Sequence, residues 1–444
     1  MSQHTIATRR KLTLVLAGMA TIATLAGCSV LTPSSSHSGS TAVSTVVPKA
    51  KVTITIADWD NSKDITTIIA AYEKKYPQVT VKHQYTDAAD FQKTLKLVMQ
   101  GSNPPDITQY NTPIRDLGAA GLILDLTPYE KAYGWDKKVP LSLLDQTRFS
   151  KDGKTMGVGS LLAAPITVPV VGVYYNKALT GQAGVTAPPT TFAEFEADLA
   201  KVKAAKIQPL QMGSLDFGGI HNWAAIENSF ADATTLRDWL YGKSGSTIDN
   251  DATVKATAAI QDWAAKGYYP ASANGTSDVD AAANFAAGKS AYLIDGSWQA
   301  AGFQAKLGDN VGFYLLPMQN AGDPEIANAS VAAYSVSAKT KHATAAVSFL
   351  NFLYSAEAAP GVTLTGNLSV NPDSNGAFTS GVGKDIADAF VGVAKSNGGM
   401  IFPDQSAPDL LDLLTSDIQS VVAGKMKPDA FATAVQASWA GYHN

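Results

Sequence analysis

Strand-type and helix-type runs alternate between residues 51 and 110, and that order of periodicities admits few folds. Lys51–Ala57 reads KVTITIA, with β-branched residues at the period-two spacing of a strand. A helical pattern follows from Ser62 to Tyr76 and is stopped by Pro77, and a second strand is expected over Val79–Tyr85. Phe91–Gln100 has the pattern of an amphipathic helix, broken by Gly101-Ser102-Asn103-Pro104-Pro105. Asp106–Tyr110 is a third short strand and its exit loop. Strand, helix, strand, helix, strand is the opening of a doubly wound α/β lobe.

Ahead of this body, Arg9, Arg10 and Lys11 precede the uncharged stretch Leu12–Ala26, which ends in Leu25-Ala26-Gly27-Cys28. A basic start, a short apolar segment and small residues are the parts of a secretory leader, and 15 residues are too few to span a bilayer comfortably. The segment resembles a bacterial lipoprotein signal peptide of residues 1–27, which implies that Cys28 is diacylated and becomes the mature N-terminus. Ordinary cleavage after Ala26 or Gly27 is the alternative, and Arg9-Arg10 leaves the twin-arginine route open although its flanks fit poorly. Residues 28–49, rich in Ser, Thr, Pro and small side chains, are expected to be a disordered tether. Two lipid chains, at about 0.8 kcal/mol per buried methylene, would hold the body stably at a membrane surface on the extracytoplasmic side.

Without the leader, 417 residues remain and the net charge moves from −4 to −7. That length suggests two or three domains, and the acidic balance argues against nucleic-acid binding. No mature segment offers 18 consecutive apolar residues. Cys28 is the only cysteine, so the body contains no disulfide and its stability rests on core burial.

Further landmarks occur in a consistent order: Trp59 after the first strand, Tyr72-Glu73-Lys74-Lys75-Tyr76-Pro77, Pro104-Pro105-Asp106-Ile107 and Val173-Tyr174-Tyr175-Asn176-Lys177. Phe285–Tyr292, Gly296-Ser297-Trp298, the helix Ala346–Tyr354 and the loop Gly366–Pro372 follow. Together with the leader, these resemble the extracellular solute-binding proteins of ABC importers, in the carbohydrate-binding family that includes maltose-binding protein. The resemblance implies a periplasmic-binding-protein-like α/β fold: two doubly wound lobes joined by a multi-crossing hinge, with a ligand cleft between them. Lobe one is expected over 50–164 and 312–355, and lobe two over 165–311 and 356–444. Pro165–Pro169 and Val311–Pro317 suit the crossings, because proline fixes φ in an extended chain. The resemblance also implies a monomer that captures a mono- or oligosaccharide and delivers it to the transmembrane permease subunits.

Ligands of open α/β sheets lie beyond the carboxyl ends of strands, which selects candidate residues independently of the resemblance. After the first strand these are Trp59, Asp60 and Asn61, an indole face for a pyranose with polar groups for its hydroxyls. After the third they are Gln109 and Tyr110. The resemblance implies that Tyr174 faces the ligand, and strand alternation then turns Tyr175 into the core. Trp298, after the Asp295-Gly296-Ser297 turn, matches the family's sugar-stacking tryptophan in position, with Asp295 as hydroxyl acceptor and Gly296 allowing close backbone approach. Trp223, Phe402 and Asp404 complete the set.

Other chemistry is poorly represented. The six histidines are scattered, and no zinc-protease, P-loop or dinucleotide motif occurs, so neither metal nor cofactor is expected. Asp249-Asn250-Asp251 and Asp278-Val279-Asp280 do not continue into a calcium loop. Two alternatives stay open: a binding protein for a non-sugar solute, and a secreted glycoside hydrolase using two of Asp60, Asp106 and Asp295.

Overall fold

The computed structural model describes residues 43–59, 63–86, 88–110, 114–363 and 367–444. The leader, Cys28, Asp60 and Asn61 lie outside the described residues, as does the side chain of Tyr110.

The expected opening is present, as β1 (Val52–Asp58), α1 (Lys63–Lys75), β2 (Val79–Tyr85), α2 (Ala88–Gln100) and β3 (Ile107–Tyr110). In α1, Ile65, Ile68 and Tyr72 are buried; in α2, Phe91, Leu95 and Met99 are. These spacings of three and four residues put each set on one helical face, which packs on the sheet. Further strands are β4 (Ala164–Val168), β5 (Val171–Asn176) and β6 (Leu210–Gln211). Helices α3 (Phe217–Phe230) and α4 (Asp278–Ala286) precede β7 (Tyr292–Gly296), β8 (Val311–Tyr314), β9 (Ala332–Val336) and β10 (Leu368–Ser369).

Two main sheets result. The first has six strands in the order β10-β4-β9-β3-β1-β2, with β1 parallel to β2 and β3 and the remaining pairs antiparallel. The second has four, in the order β8-β5-β7-β6, and is mixed. Consecutive strands β4 and β5 fall in different sheets, so the chain crosses at Pro169-Val170. It returns between β8 and β9, and crosses again after β10, because the helix Gly381–Ser396 packs on the second sheet, where Asp385 Oδ2 accepts Phe313 N–H at 3.2 Å. The parallel pair Ala327–Asn328 and Gly399–Met400 adds a small separate ribbon.

Three expected boundaries move. Residues 312–314, expected in lobe one, pair with β5 of the second sheet, where Phe313 packs edge-on to Tyr174 at 4.9 Å. Residues 368–369, expected in lobe two, complete the first sheet beside β4, with Leu368 buried. Residues 43–49, expected to belong to the tether, lie on the body: Val43 and Val47 pack against its core, and the carbonyls of Thr45 and Pro48 accept from Tyr133 and Gln78.

Candidate ligand-binding site

The sheet order places one group of candidates. Strand order reverses about β1, which lies between β2 and β3, and the crevice at such a reversal collects the strand ends. Trp59 follows β1 directly, half-buried, with its ring edge-on to Phe91 at 5.3 Å. Its backbone N–H donates to Gln109 Oε1 at 3.4 Å, tying the ends of β1 and β3 together. Gln109 and Tyr110 are the last residues of β3 itself, opposite Tyr334 and Ala333 of β9, rather than part of an exit loop. Beneath them the buried Asp58 holds His83 Nε2 at 2.6 Å and the Tyr334 hydroxyl at 2.9 Å, a support that the sequence pattern did not indicate.

A second group gathers where β7 ends. Asp295 and Gly296 close the strand, and Trp298 lies in the short 3-10 turn Ser297–Gln299 that follows. Ser297 pins this turn to the crossing segment: its N–H donates to Val170 O at 2.9 Å, and its Oγ accepts Val170 N–H at 3.2 Å. A Cβ on Gly296 would stand 2.1 Å from the indole, so only glycine lets the ring lie back over the strand end. Trp298 is 45% exposed, in a body that buries five other tryptophans completely. Around it, His221 lies 5.4 Å away and Phe402 6.3 Å, and His221 in turn contacts Phe402 at 5.4 Å and stacks with Phe217 at 6.4 Å.

Polar groups lie behind these rings. Asp295 is fully buried; Oδ1 accepts the Gly296 N–H at 2.6 Å and Oδ2 accepts from Gln299 at 2.9 Å. Burial, followed by the nearby Asp278 charge, pushes its carboxyl up to about 7, against the opposing pull of His221. Burial also raises Asp404, in the turn after Phe402, and His221 opposes that shift. His221 itself is pulled down by burial, but Asp278, Asp295 and Asp404 outweigh this and leave its pKa raised. The Asp216 carboxylate accepts Asp278 N–H at 2.7 Å, which joins the start of α3 to the start of α4. A Cβ on Gly218 would meet Asp278 Oδ1 at 2.7 Å, so that glycine admits the carboxylate beside the helix.

Three expected contacts are corrected, the first being Asp295, whose full burial and locally engaged oxygens leave no acceptor exposed to a ligand hydroxyl. Tyr174 is fully buried; its ring packs edge-on against Phe303 at 4.8 Å, and its hydroxyl donates to Gly296 O at 3.0 Å. It braces the Trp298 turn from behind, while Tyr175 is the more exposed of the pair. Trp223 is also core, donating to Thr257 Oγ1 at 3.0 Å and packing against Phe431. Residues four apart share a helical face, so Phe217 and His221 point to the aromatic group and Trp223 does not. His221, Asp278 and Phe217 were not among the expected site residues. In the sequence, Asp278-Val279-Asp280 offers only a fragment of a calcium loop.

A cavity of about 410 Å³ is bordered by Tyr175, Lys177, Tyr292 and Tyr314, and one of about 50 Å³ by Arg115, Phe149, Ser330 and Gln405.

A model of the family described as bacterial extracellular solute-binding protein matches residues 59–360. A probable sugar-binding periplasmic protein of Mesorhizobium japonicum is 34% identical across 36% of this chain and 36% of its own length. A multiple sugar-binding protein of Streptococcus mutans is 26% identical over 69% of this chain and 72% of its own. Among solved structures, a family 1 extracellular solute-binding protein from Bifidobacterium longum subsp. infantis superposes with a TM-score of 0.71 at 20% identity, over 88% of this chain and 100% of the other. A chitin oligosaccharide binding protein does so at 0.68 and 21% identity, over 88% and 99%. At such identities the structural likeness speaks for the fold.

Proposed function

Because the chain belongs to the bacterial extracellular solute-binding proteins, we propose that it captures a sugar or short oligosaccharide between its lobes and hands it to the permease of an ABC importer. The observation carrying this reading is Trp298, exposed at the carboxyl end of a strand with a buried carboxylate and an imidazole behind it. A pyranose has a C–H face that suits an aromatic wall and a rim of hydroxyls that suits carboxylate and imidazole partners. On this reading Trp298 and Phe402, backed by Asp295 and Asp404, offer one wall and Trp59 with Gln109 the other, while Asp60, Asn61 and Tyr110 are candidates on the sequence alone. The names of the curated relatives favour a sugar over other solutes.

The lobes meet through the crossings at 169–170, 315–331 and 370–380, which would act as the hinge. Closure is favoured by a ligand that touches both walls at once. A lipid on Cys28 would keep this receptor at the membrane, and no helix among the described residues is long and apolar enough to cross one. A hydrolase pair has less support. Asp106 Oδ2 accepts from the N–H and hydroxyl of Thr55 and Oδ1 accepts from Thr340, while both Asp295 oxygens are engaged locally.

A thermal-shift screen of the protein against mono- and oligosaccharides tests the reading, with each sugar recovered and checked for breakdown. A ligand at 100 times its dissociation constant stabilises by about 2.7 kcal/mol, a readily visible shift. A selective shift with intact sugar is expected. Silence across the panel would refute the sugar, and breakdown would refute the receptor. Cys28→Ser should move the protein from the membrane fraction to the medium or periplasm; unchanged membrane association would refute the anchor.

A further inference from the structure

We propose that His221, Asp278 and Asp295 form a binding site for a first-row divalent metal ion behind the Trp298 wall. This goes beyond solute capture and stands whichever solute the wall receives. The three side chains come from α3, the first residue of α4 and the end of β7, and each contributes one donor atom to the cluster. Those atoms all lie within 4.8 Å of one another. His221 Nδ1 is 3.8 Å from Asp278 Oδ1 and 3.9 Å from Asp295 Oδ1. These separations are too long for hydrogen bonds. They fall instead between the spacings of donors sharing one ion: bonds of about 2.1 Å put neighbouring tetrahedral donors roughly 3.4 Å apart and opposite octahedral donors roughly 4.2 Å apart.

An independent observation concerns the imidazole. His221 is only 7% exposed, and its Nδ1 makes no hydrogen bond. Buried polar atoms are nearly always partnered, and this one faces two carboxylates at distances too long to bond either. A divalent cation resolves both problems: it accepts the nitrogen lone pair and neutralises two acids that repel at close range. Support of the kind metal ligands require is in place, since Gln299 and the Gly296 N–H orient Asp295, and the Asp216 carboxylate accepts the backbone N–H of Asp278. One imidazole with two carboxylates suits Zn²⁺ or Mn²⁺ better than the all-oxygen preference of Ca²⁺ or Mg²⁺. Because Asp295 immediately precedes the Gly296–Trp298 turn, an ion here would also fix the angle of the stacking ring.

The test is calorimetric titration of Zn²⁺ into the full-length chain after EDTA treatment and dialysis. One ion per chain is expected, with affinity reduced at least tenfold in Asp278→Asn and in His221→Gln, and unchanged in Asp136→Asn, an exposed acid elsewhere. Asp278→Asn sits at a partly exposed helix start, so it carries the test even if His221→Gln does not fold. Absence of Zn²⁺ binding, or equal binding by Asp278→Asn and wild type, would overturn the proposal. Sugar titration of the EDTA-treated protein reads the receptor function separately, so failure of one leaves the other standing.

Discussion

Trp298, Gly296 and Tyr174 act as one unit: a ring, the glycine that lets it lie back, and the phenol that holds the glycine's carbonyl. Trp298→Ala removes a half-exposed side chain, so folding should be little affected while sugar affinity falls by about 2 kcal/mol, roughly 30-fold. Titration calorimetry checks this; wild-type affinity would place the stacking wall elsewhere. Gly296→Ala should cost at least as much affinity, because its Cβ displaces the indole. Tyr174→Phe keeps the ring packing but forfeits the bond to Gly296 O, an expected loss of about 1 kcal/mol in denaturant unfolding. The position of Trp298 at a strand end was legible in the sequence because a strand, a glycine and an aromatic follow one another. Tyr174 and Tyr175 were not, since alternation puts them on opposite faces without saying which faces the ligand, and the side chains around Tyr174 cover its face completely. Phe217, His221 and Trp223 were obscured in a similar way: a helix buried nearly all round gives no polar stripe from which to read its orientation.

At the scale of elements, α3 also contains a buried acid with no cation partnering it. Glu227 accepts from Thr253 Oγ1 at 2.7 Å, on the neighbouring helix Asp251–Ala265, and burial pushes its carboxyl up to about 8. The folded protein therefore holds it protonated at neutral pH, whereas the unfolded chain releases the proton near the ordinary glutamate value of 4.5. Its contribution to stability is full below that lower value and is lost as pH rises through the upper one, by up to about 1.4 kcal/mol per pH unit. Glu227→Gln cannot ionise, so its melting temperature relative to wild type should be higher at pH 8 than at pH 5. A constant difference between the two pH values would show that Glu227 is not protonated in the fold. The elements themselves were legible wherever they were long: α1 and β2 match their expected spans to within a residue. The two-residue strand Leu368–Ser369 was not, because only its pairing with β4 makes it a strand.

For the molecule as a whole, the proposed closure has a visible latch. Arg115, on the short helix Ile114–Ala119 beside the first sheet, donates to Gln405 O at 2.6 Å and to the Tyr442 hydroxyl at 3.3 Å, both in the C-terminal segment beyond the last crossing. Arg115→Ala is expected to raise the radius of gyration of the sugar-free protein in solution scattering, and saturating sugar should lower it again. Identical profiles for variant and wild type would show that the arginine does not restrain the lobes. The sequence by itself determined the alternation of elements, the exclusion of disulfides and the strand ends at which a ligand site had to be sought. These are properties of neighbouring residues, governed by periodicity, turn chemistry and charge. Only the tertiary structure decided which aromatics stay exposed, where the chain changes sheets, and that His221, Asp278 and Asp295 converge. Each of those depends on contacts between segments distant along the chain, which burial on both faces of the sheets selects and no local pattern records.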